Sequence, residues 1–259
     1  MNKKMDENKL SVIMPALNEE SNISNAINDV LKDFNTFNIA GELIVVDDGS
    51  SDNTRILIEQ KINENPGKVS IIRHDKPLGI GASFWDGVAG ATGDIVVMLP
   101  GDNENDPREI FRYYNLLEHV DIVIPFIFNR ETRLLFRNML SFVYRFIINT
   151  TFLVNFNYTN GTVLYRKSIL DDLDYRSNGF FFQTDILIRS VKKGYLFAEV
   201  PYKLGLRKEG VSKAVSFPSL YQVVRGYLRL VKDFYFHKNK NGKRRFSRDS
   251  LTQTRRNNA

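Results

Sequence analysis

Five short runs rich in β-branched and other apolar residues, Leu10–Met14, Leu43–Val46, Val69–Ile72, Ile95–Leu99 and Asp121–Ile124, alternate with segments of helical period at Glu20–Phe34, Asn53–Asn63, Ala82–Ala91 and Pro107–His119. A strand that is apolar on both sides must be covered on both sides, and the usual solution is a parallel sheet between two helical layers. The alternation therefore predicts an α/β fold with a mostly parallel central sheet and flanking helices. Oxygen-bearing side chains mark the helix starts: Ser21 or Asn22 before the first and Asp52 before the second, while Pro107 suits a first helical turn.

A chain of 259 residues with 42% hydrophobic residues can bury the core such a fold needs. The organisation expected is a polar segment at 1–9, one α/β domain at 10–215, an amphipathic helix at 216–236, and a basic, disordered tail at 237–259. There is no cysteine, which excludes disulfides and thiolate chemistry and leaves oxygen groups or the three histidines as metal ligands. The polar start, Met1 to Lys9, has no apolar core of signal-peptide type, and no stretch of about 18 apolar residues reads as a membrane span. The expected location is cytoplasmic, peripheral on the cytoplasmic face of a membrane.

Two segments support the membrane part of that expectation. From Arg130 to Phe156, a broad apolar face (Leu134, Leu135, Phe136, Met139, Leu140, Phe142, Val143, Phe146, Ile147) is edged by Arg130, Arg133, Arg137 and Arg145. After Pro218, Leu220, Val223, Val224, Tyr227, Leu228, Val231 and Phe234 share a helical face with Arg225, Arg229 and Lys232 beside it. Either helix alone reads equally well as one that packs on the sheet and exposes a basic edge. The net charge of +6 is concentrated at the end, where Lys238, Lys240, Lys243, Arg244, Arg245, Arg248, Arg255 and Arg256 face Asp249 alone, a pattern suited to anionic lipid. Nucleic acid is not expected as a partner, because no aromatic platform is interleaved with these cations.

Chemistry concentrates in two acidic turns, each just after an apolar run. In an open α/β sheet, ligands bind beyond the carboxyl ends of the strands. Asp47-Asp48-Gly49-Ser50 turns on a glycine and leads into a helix, where a carboxylate can accept hydrogen bonds from a nucleobase or ribose; an aspartate-glycine pair is also an ordinary turn signal. In Pro100-Gly101-Asp102-Asn103-Glu104, an extended backbone would put Asp102 and Glu104 on one face, a pair of hard oxygen donors for a divalent cation completed by water and diphosphate. Gly79-Ile80-Gly81 has the look of a phosphate-binding turn but lacks the third glycine, so a compact helix start is expected there.

Pro15-Ala16-Leu17-Asn18-Glu19-Glu20, Val46-Asp47-Asp48-Gly49-Ser50-Ser51-Asp52, Gly93-Asp94 before a strand and the acidic turn at Asp102, in this order and spacing, resemble the family 2 glycosyltransferases of the GT-A fold. Tyr158-Thr159-Asn160-Gly161 before Tyr165-Arg166-Lys167-Ser168, and Arg207-Lys208-Glu209-Gly210-Val211-Ser212-Lys213, are similar to signatures of the dolichol-phosphate mannose synthase and polyprenyl-phosphate glycosyltransferase branch.

The resemblance implies Pro15, Leu17, Glu19, Val46 and Asp48 around the nucleoside, Gly101 and Asp102 at the donor, Asp102 and Glu104 on a magnesium or manganese ion, and Arg207 and Lys213 near the phosphates. Asp185 is the candidate general base, although an acidic residue early in a helix is also an ordinary dipole partner. The chain departs from the family pattern at Pro100-Gly101-Asp102, where the usual Asp-x-Asp has lost its first carboxylate, and Glu104 stands where the branch commonly has glutamine. The implied activity is transfer of a sugar from a nucleoside-diphosphate sugar to a polyprenyl phosphate at a membrane surface, with a membrane-anchoring partner protein among the expected partners. A glycan or protein acceptor on the same fold, and a non-catalytic nucleotide-sugar binding module, are the alternatives.

Overall fold

The computed structural model describes residues 9–129, 135–173, 175–203, 217–236 and 246–257. In chain order these form β1 (Leu10–Ala16), α1 (Ile23–Thr36), β2 (Gly41–Asp47), α2 (Thr54–Glu64), β3 (Val69–Arg73), α3 (Ile80–Gly90), β4 (Ile95–Met98), α4 (Pro107–Phe111), a 3-10 turn (Tyr114–Glu118) and β5 (Ile122–Ile127). They continue as α5 (Leu135–Phe152), β6 (Leu164–Arg166), α6 (Lys167–Asp171), α7 (Phe182–Lys193), β7 (Phe197–Tyr202), α8 (Phe217–Tyr235) and α9 (Leu251–Asn257).

The strands form one sheet in the order β3-β2-β1-β4-β6-β5-β7, parallel except for β6, which runs against both of its neighbours. Leu10 to Ala16 of β1 pair with Gly41 to Asp47 on one side, and Leu10 to Ile13 pair with Ile95 to Met98 on the other. The chain leaves β1 toward β2 and β3, then crosses back to lay β4 on the opposite side. That reversal makes a topological switch point at the carboxyl end of β1, where open sheets form their ligand crevice.

Each face of the sheet carries its own core. Val12, Met14, Leu43 and Val45 pack with Ile23, Ile27, Val30 and Phe34 of α1, while Ile13, Ile44 and Val46 pack with Phe84, Trp85 and Val88 of α3. Burial on both sides explains why the strands read as nearly unbroken apolar runs. The segment expected as one helix over Pro107–His119 is split into α4 and the 3-10 turn. Asp106 caps α4 by accepting the Arg108 N–H at 3.0 Å, with Pro107 at the first helical position.

The expected disorder of 237–259 does not extend through residues 246–257; His237 to Arg245 lie outside the described residues. Phe246 is buried edge-on against Tyr195, with ring centroids 5.2 Å apart, and Leu251 is buried as well. Asp121, fully buried just before β5, accepts the Leu251 N–H at 2.6 Å, the Thr252 N–H at 3.1 Å and the Thr252 hydroxyl, and faces Arg166 at 3.6 Å. A buried carboxylate needs such donors, and the free amides at a helix start supply them. Charge composition favoured a solvated tail; two apolar residues and one buried acceptor outweigh it. Because Asp121 and Leu196 precede β5 and β7, α9 sits at the amino end of these strands, opposite the crevice.

Replacing Asp121 with alanine leaves the first amides of α9 buried without their acceptor and removes the carboxylate that faces the Arg166 guanidinium. Urea unfolding is expected to show a loss of about 3–5 kcal/mol, with α9 becoming sensitive to proteolysis before the sheet does.

Candidate active site

Both acidic loops hang from the last residues of β1. The Asp48 N–H donates to the Ala16 carbonyl at 2.8 Å, and the Gly101 N–H donates to the Pro15 carbonyl at 3.0 Å. Asp48 and Asp102 therefore flank one strand end at the switch point. Gly101 packs closely here: a Cβ would lie 2.9 Å from Ile23 Cδ1 and 3.3 Å from Ala16 Cβ, so the Ile23 side chain would have to shift to admit one.

The loop after β1 is fastened to the loop after β2. Asn18, in the left-handed region at φ 55°, accepts the Ser51 N–H at 2.9 Å, and its own N–H reaches the Ser50 hydroxyl at 3.0 Å. The Glu19 N–H reaches Thr54 Oγ1 at 2.8 Å, and Glu20 accepts from both nitrogens of Asn53 at 3.1 Å. Pro15 is buried, while Leu17 and Glu19 are partly exposed at the crevice. The Glu19 carboxylate accepts from the Asn22 side-chain amide at 3.1 Å.

Asp48 is 5% exposed, and its carboxylate is enclosed by the segment after β3. Oδ1 accepts from His74 Nδ1 at 2.6 Å and the Leu78 N–H at 2.7 Å; Oδ2 accepts the Gly79 N–H at 2.9 Å. Its neighbour Asp47 is fully buried, with Oδ1 accepting the Ser50 N–H at 2.9 Å and Oδ2 buried without a hydrogen-bond partner. Gly49 lets the enclosing segment close: its φ is 78°, and a Cβ would meet the Lys76 carbonyl carbon at 2.9 Å.

In the second acidic loop the extended arrangement expected of Asp102 and Glu104 is replaced by a turn. Asn103 takes φ 56°, and Asp102 Oδ1 accepts the Glu104 N–H at 3.1 Å. A short side chain that can bond the backbone two residues on favours this turn over extension. Asp102 and Glu104 are both partly buried. Among the described residues no three His, Asp or Glu side chains converge on one point. The donor set is a pair of carboxylates in one turn, hard oxygen groups that fit magnesium or manganese provided water and diphosphate complete the shell.

Other predicted residues are placed elsewhere. Val46, expected around the nucleoside, is fully buried in the core facing α3, so its side chain is not open to a ligand. Asp185, in the first turn of α7, is held by Arg189 at 2.9 Å, and Arg189 also binds Asp233 of α8 at 2.6 Å. Burial pushes the Asp185 carboxyl above the usual carboxylate range, against the pull of Arg189. That network joins α7 to α8. Arg207 and Lys213 lie outside the described residues. Gly79-Ile80-Gly81 starts α3 compactly, as expected: the Ala82 N–H is taken by the Asn178 carbonyl at 3.3 Å, and a Cβ on Gly81 would lie 2.5 Å from that same oxygen.

The sequence reading passed over His74 and Asp86. The imidazole of His74 is buried between Asp48 and Asp86, with Nε2 at 3.0 Å from Asp86 Oδ2. The pairing of Asp47 with Arg73 puts residue 74 beside residue 48, so aligning the carboxyl ends of β2 and β3 was the available signal.

An acidic crevice at the switch point of a mostly parallel sheet places the chain among α/β proteins that bind ligands across their strand ends. The model of the family described as "Glycosyl transferase family 2" matches residues 11–174, and the chain belongs to that family. It is 35% identical over 105 residues to undecaprenyl-phosphate 4-deoxy-4-formamido-L-arabinose transferase of Proteus mirabilis, covering 40% of this chain and 32% of that protein. It is 27% identical over 165 residues to dodecaprenyl-phosphate galacturonate synthase of Rhizobium johnstonii, covering 62% and 49%. The matched region thus spans from a third to a half of these relatives. Glucosyl-3-phosphoglycerate synthase of Mycobacterium tuberculosis, solved with Mn2+, UDP-glucose and phosphoglyceric acid, superposes with a TM-score of 0.67 at 20% identity, covering 87% of this chain and 80% of that one. The same enzyme has been solved with Mg2+ and UDP, at a TM-score of 0.65, 21% identity and the same coverage. This likeness establishes the GT-A type of fold.

Gly49→Ala forces a Cβ into the backbone of Lys76 at a positive φ. A loss of about 1–3 kcal/mol in urea unfolding is expected, since a side chain here is strained whichever rotamer it takes.

Proposed function

We propose that this chain transfers a sugar from a nucleoside-diphosphate sugar to the phosphate of a polyprenyl lipid at a membrane surface. The observation that carries the reading is the attachment of both acidic loops to neighbouring carbonyls of β1, Pro15 and Ala16, which sets Asp48 and Asp102 on either side of one strand end. The names of the two polyprenyl-phosphate relatives support the acceptor class.

In this reading Pro15, Leu17, Glu19 and Asp48 surround the nucleoside, with Val46 beneath them. Asp102 and Glu104 hold a magnesium or manganese ion, which when bound offsets the charge that develops on the leaving diphosphate. Gly101 keeps the acidic turn against β1, so these carboxylates are positioned before the donor arrives. Arg207 and Lys213 are assigned to the phosphates; they follow β7, whose carboxyl end lies on the crevice side of the sheet because β7 runs parallel to β5. A lipid phosphate is already anionic at neutral pH and needs no strong base to attack, so Asp185 serves transfer by holding Arg189 between α7 and α8.

The membrane part rests on α5 and α8. Phe142 and Phe146 of α5 are 58% and 62% exposed, and Leu220, Tyr221 and Leu228 of α8 are exposed to a similar degree. The two helices are joined where Thr151 meets Tyr227 at 2.9 Å and accepts from Tyr235. Among the described residues no helix is long and apolar enough to cross a membrane. These helices are therefore assigned to the surface of the bilayer, apolar side chains down and Arg145, Arg225 and Arg229 toward phosphates. An anchoring protein partner and a cytoplasmic-face location belong to the same proposal.

The decisive assay supplies a panel of radiolabelled nucleotide sugars, extracted polyprenyl phosphate and magnesium or manganese, and measures label entering the organic phase. Asp102→Ala is expected to lower that transfer at least about 100-fold, a loss typical of removing a group that stabilises transition-state charge. Transfer that survives the substitution refutes the metal assignment; label appearing only on soluble glycan or protein refutes the acceptor.

Phe142→Ser combined with Phe146→Ser removes two exposed rings without touching the crevice. Flotation with vesicles containing anionic lipid is expected to fall severalfold while the thermal unfolding midpoint stays unchanged.

A further inference from the structure

We propose that His74 is a positioning residue for donor binding: held in turn by Asp86, it fixes the direction in which the Asp48 carboxylate faces the nucleoside. The inference rests on the reading of the crevice as a nucleotide-sugar site and adds to it a residue outside both acidic loops.

An ionised carboxylate has about four lone-pair positions. Among the described residues three donors reach Asp48: His74 and Leu78 on Oδ1, and Gly79 on Oδ2. The acceptor capacity left for a ligand is therefore on Oδ2. Two of the three donors are backbone amides of one short segment, which would hold the carboxylate only as firmly as that segment is held. His74 supplies the third from a different direction, at the shortest of the three distances, and is itself fixed at both ends. Its N–H donates to the Asp47 carbonyl at 2.9 Å, and its ring is buried.

The ring bridges the end of β2 and helix α3. A carboxylate only accepts, so the Asp48 contact needs the hydrogen on Nδ1, and Asp86 Oδ2 faces Nε2 at the other end of the ring at 3.0 Å. Asp86 thereby favours one ring orientation, the arrangement by which a second carboxylate commonly orients a working histidine. Asp86 is half exposed on α3, with its carboxylate turned to the buried ring.

The two ends of the ring can be tested separately. Asparagine reaches as far as Nδ1, so His74→Asn keeps a donor for Asp48; glutamine reaches as far as Nε2, so His74→Gln keeps a contact with Asp86 and gives up Asp48. Binding of UDP and of GDP is measured by calorimetry on the full chain with Mn2+, and thermal unfolding is followed in parallel. For whichever nucleotide the wild type binds, His74→Gln is expected to weaken binding about tenfold, as losing one charge-assisted hydrogen bond does, and His74→Asn to stay within about threefold of wild type. Asp86→Ala, at a half-exposed position, is expected to weaken binding about threefold.

A role in folding alone would lower the unfolding midpoint of both His74 variants and leave nucleotide affinity per folded molecule unchanged. Equal affinity of the Asn and Gln variants overturns the inference and leaves the nucleotide-sugar reading standing. Absence of binding of either nucleotide to the wild type overturns that reading and the inference with it. Should His74→Gln fail to fold, unchanged affinity in Asp86→Ala overturns the inference and weakened affinity supports it.

Discussion

Two backbone hydrogen bonds at the end of β1 govern the crevice. The ladder between β1 and β4 stops at Ile13 and Met98, yet the chain after β4 stays against β1 through Leu99 to Ile13 and Gly101 to Pro15; on the other side Asp48 continues onto Ala16. Main-chain donors and acceptors near a core must be paired, so the start of each acidic loop is fixed by the same accounting that holds the sheet together. The positions of the carboxylates follow from backbone pairing. A side chain at Gly49 would spoil it, because the backbone of Lys76 and Pro77 already fills the space where its Cβ would lie.

Backbone amides do much of the work of holding the carboxylates of the two acidic loops, Asp47, Asp48, Asp102, Glu104 and Asp106. Ser50 donates to Asp47, Leu78 and Gly79 to Asp48, Glu104 to Asp102, and Arg108 to Asp106. Amide dipoles orient a carboxylate without cancelling its charge. Carboxylates held by amides in this way offer hard oxygen ligands, which suit a divalent cation and repel a bare diphosphate. On the proposed reading, donor and metal are coupled on electrostatic grounds, whichever sugar the donor carries.

Much of the fold was legible because strands buried on both faces have to be apolar throughout, as in β1, β2 and β4. The far half of the sheet carries weaker signals. β6 has three residues, and β7 includes Glu199 and Pro201, a composition that reads as loop until its place beside β5 is known. The acidic turns were found from local sequence, but the turn at Asn103 replaced the extended geometry, since one left-handed residue suffices to change it. His74 and the Asp121 contact with α9 were out of reach of local reading: each joins residues far apart in sequence, 26 positions for His74 and Asp48 and 130 for Asp121 and Leu251. Asp185 shows the reverse problem. A carboxylate early in a helix is legible as a candidate base, whereas its ion pair with Arg189 is not.

Helix α5 has two apolar sides with different fates. Ile148 and Phe152 enter the core beside Leu230 and Phe234 of α8, whereas Met139, Phe142, Val143 and Phe146 stay in solvent. A helix that needed only one buried stripe would carry polar residues on its other side. Keeping large apolar groups exposed is unfavourable in water, at about 25 cal/mol per Å2, so such a face signals a second environment that covers it. The uncovered stretch of α5, Met139 to Ile147, precedes the buried end at Ile148 and Phe152 and so lies nearer to β5, which the chain leaves at the carboxyl end of the sheet. On the proposed reading this order has a reason: a polyprenyl phosphate must keep its chain in lipid while its head reaches the strand ends, so the face that meets lipid belongs on the segment leaving the crevice.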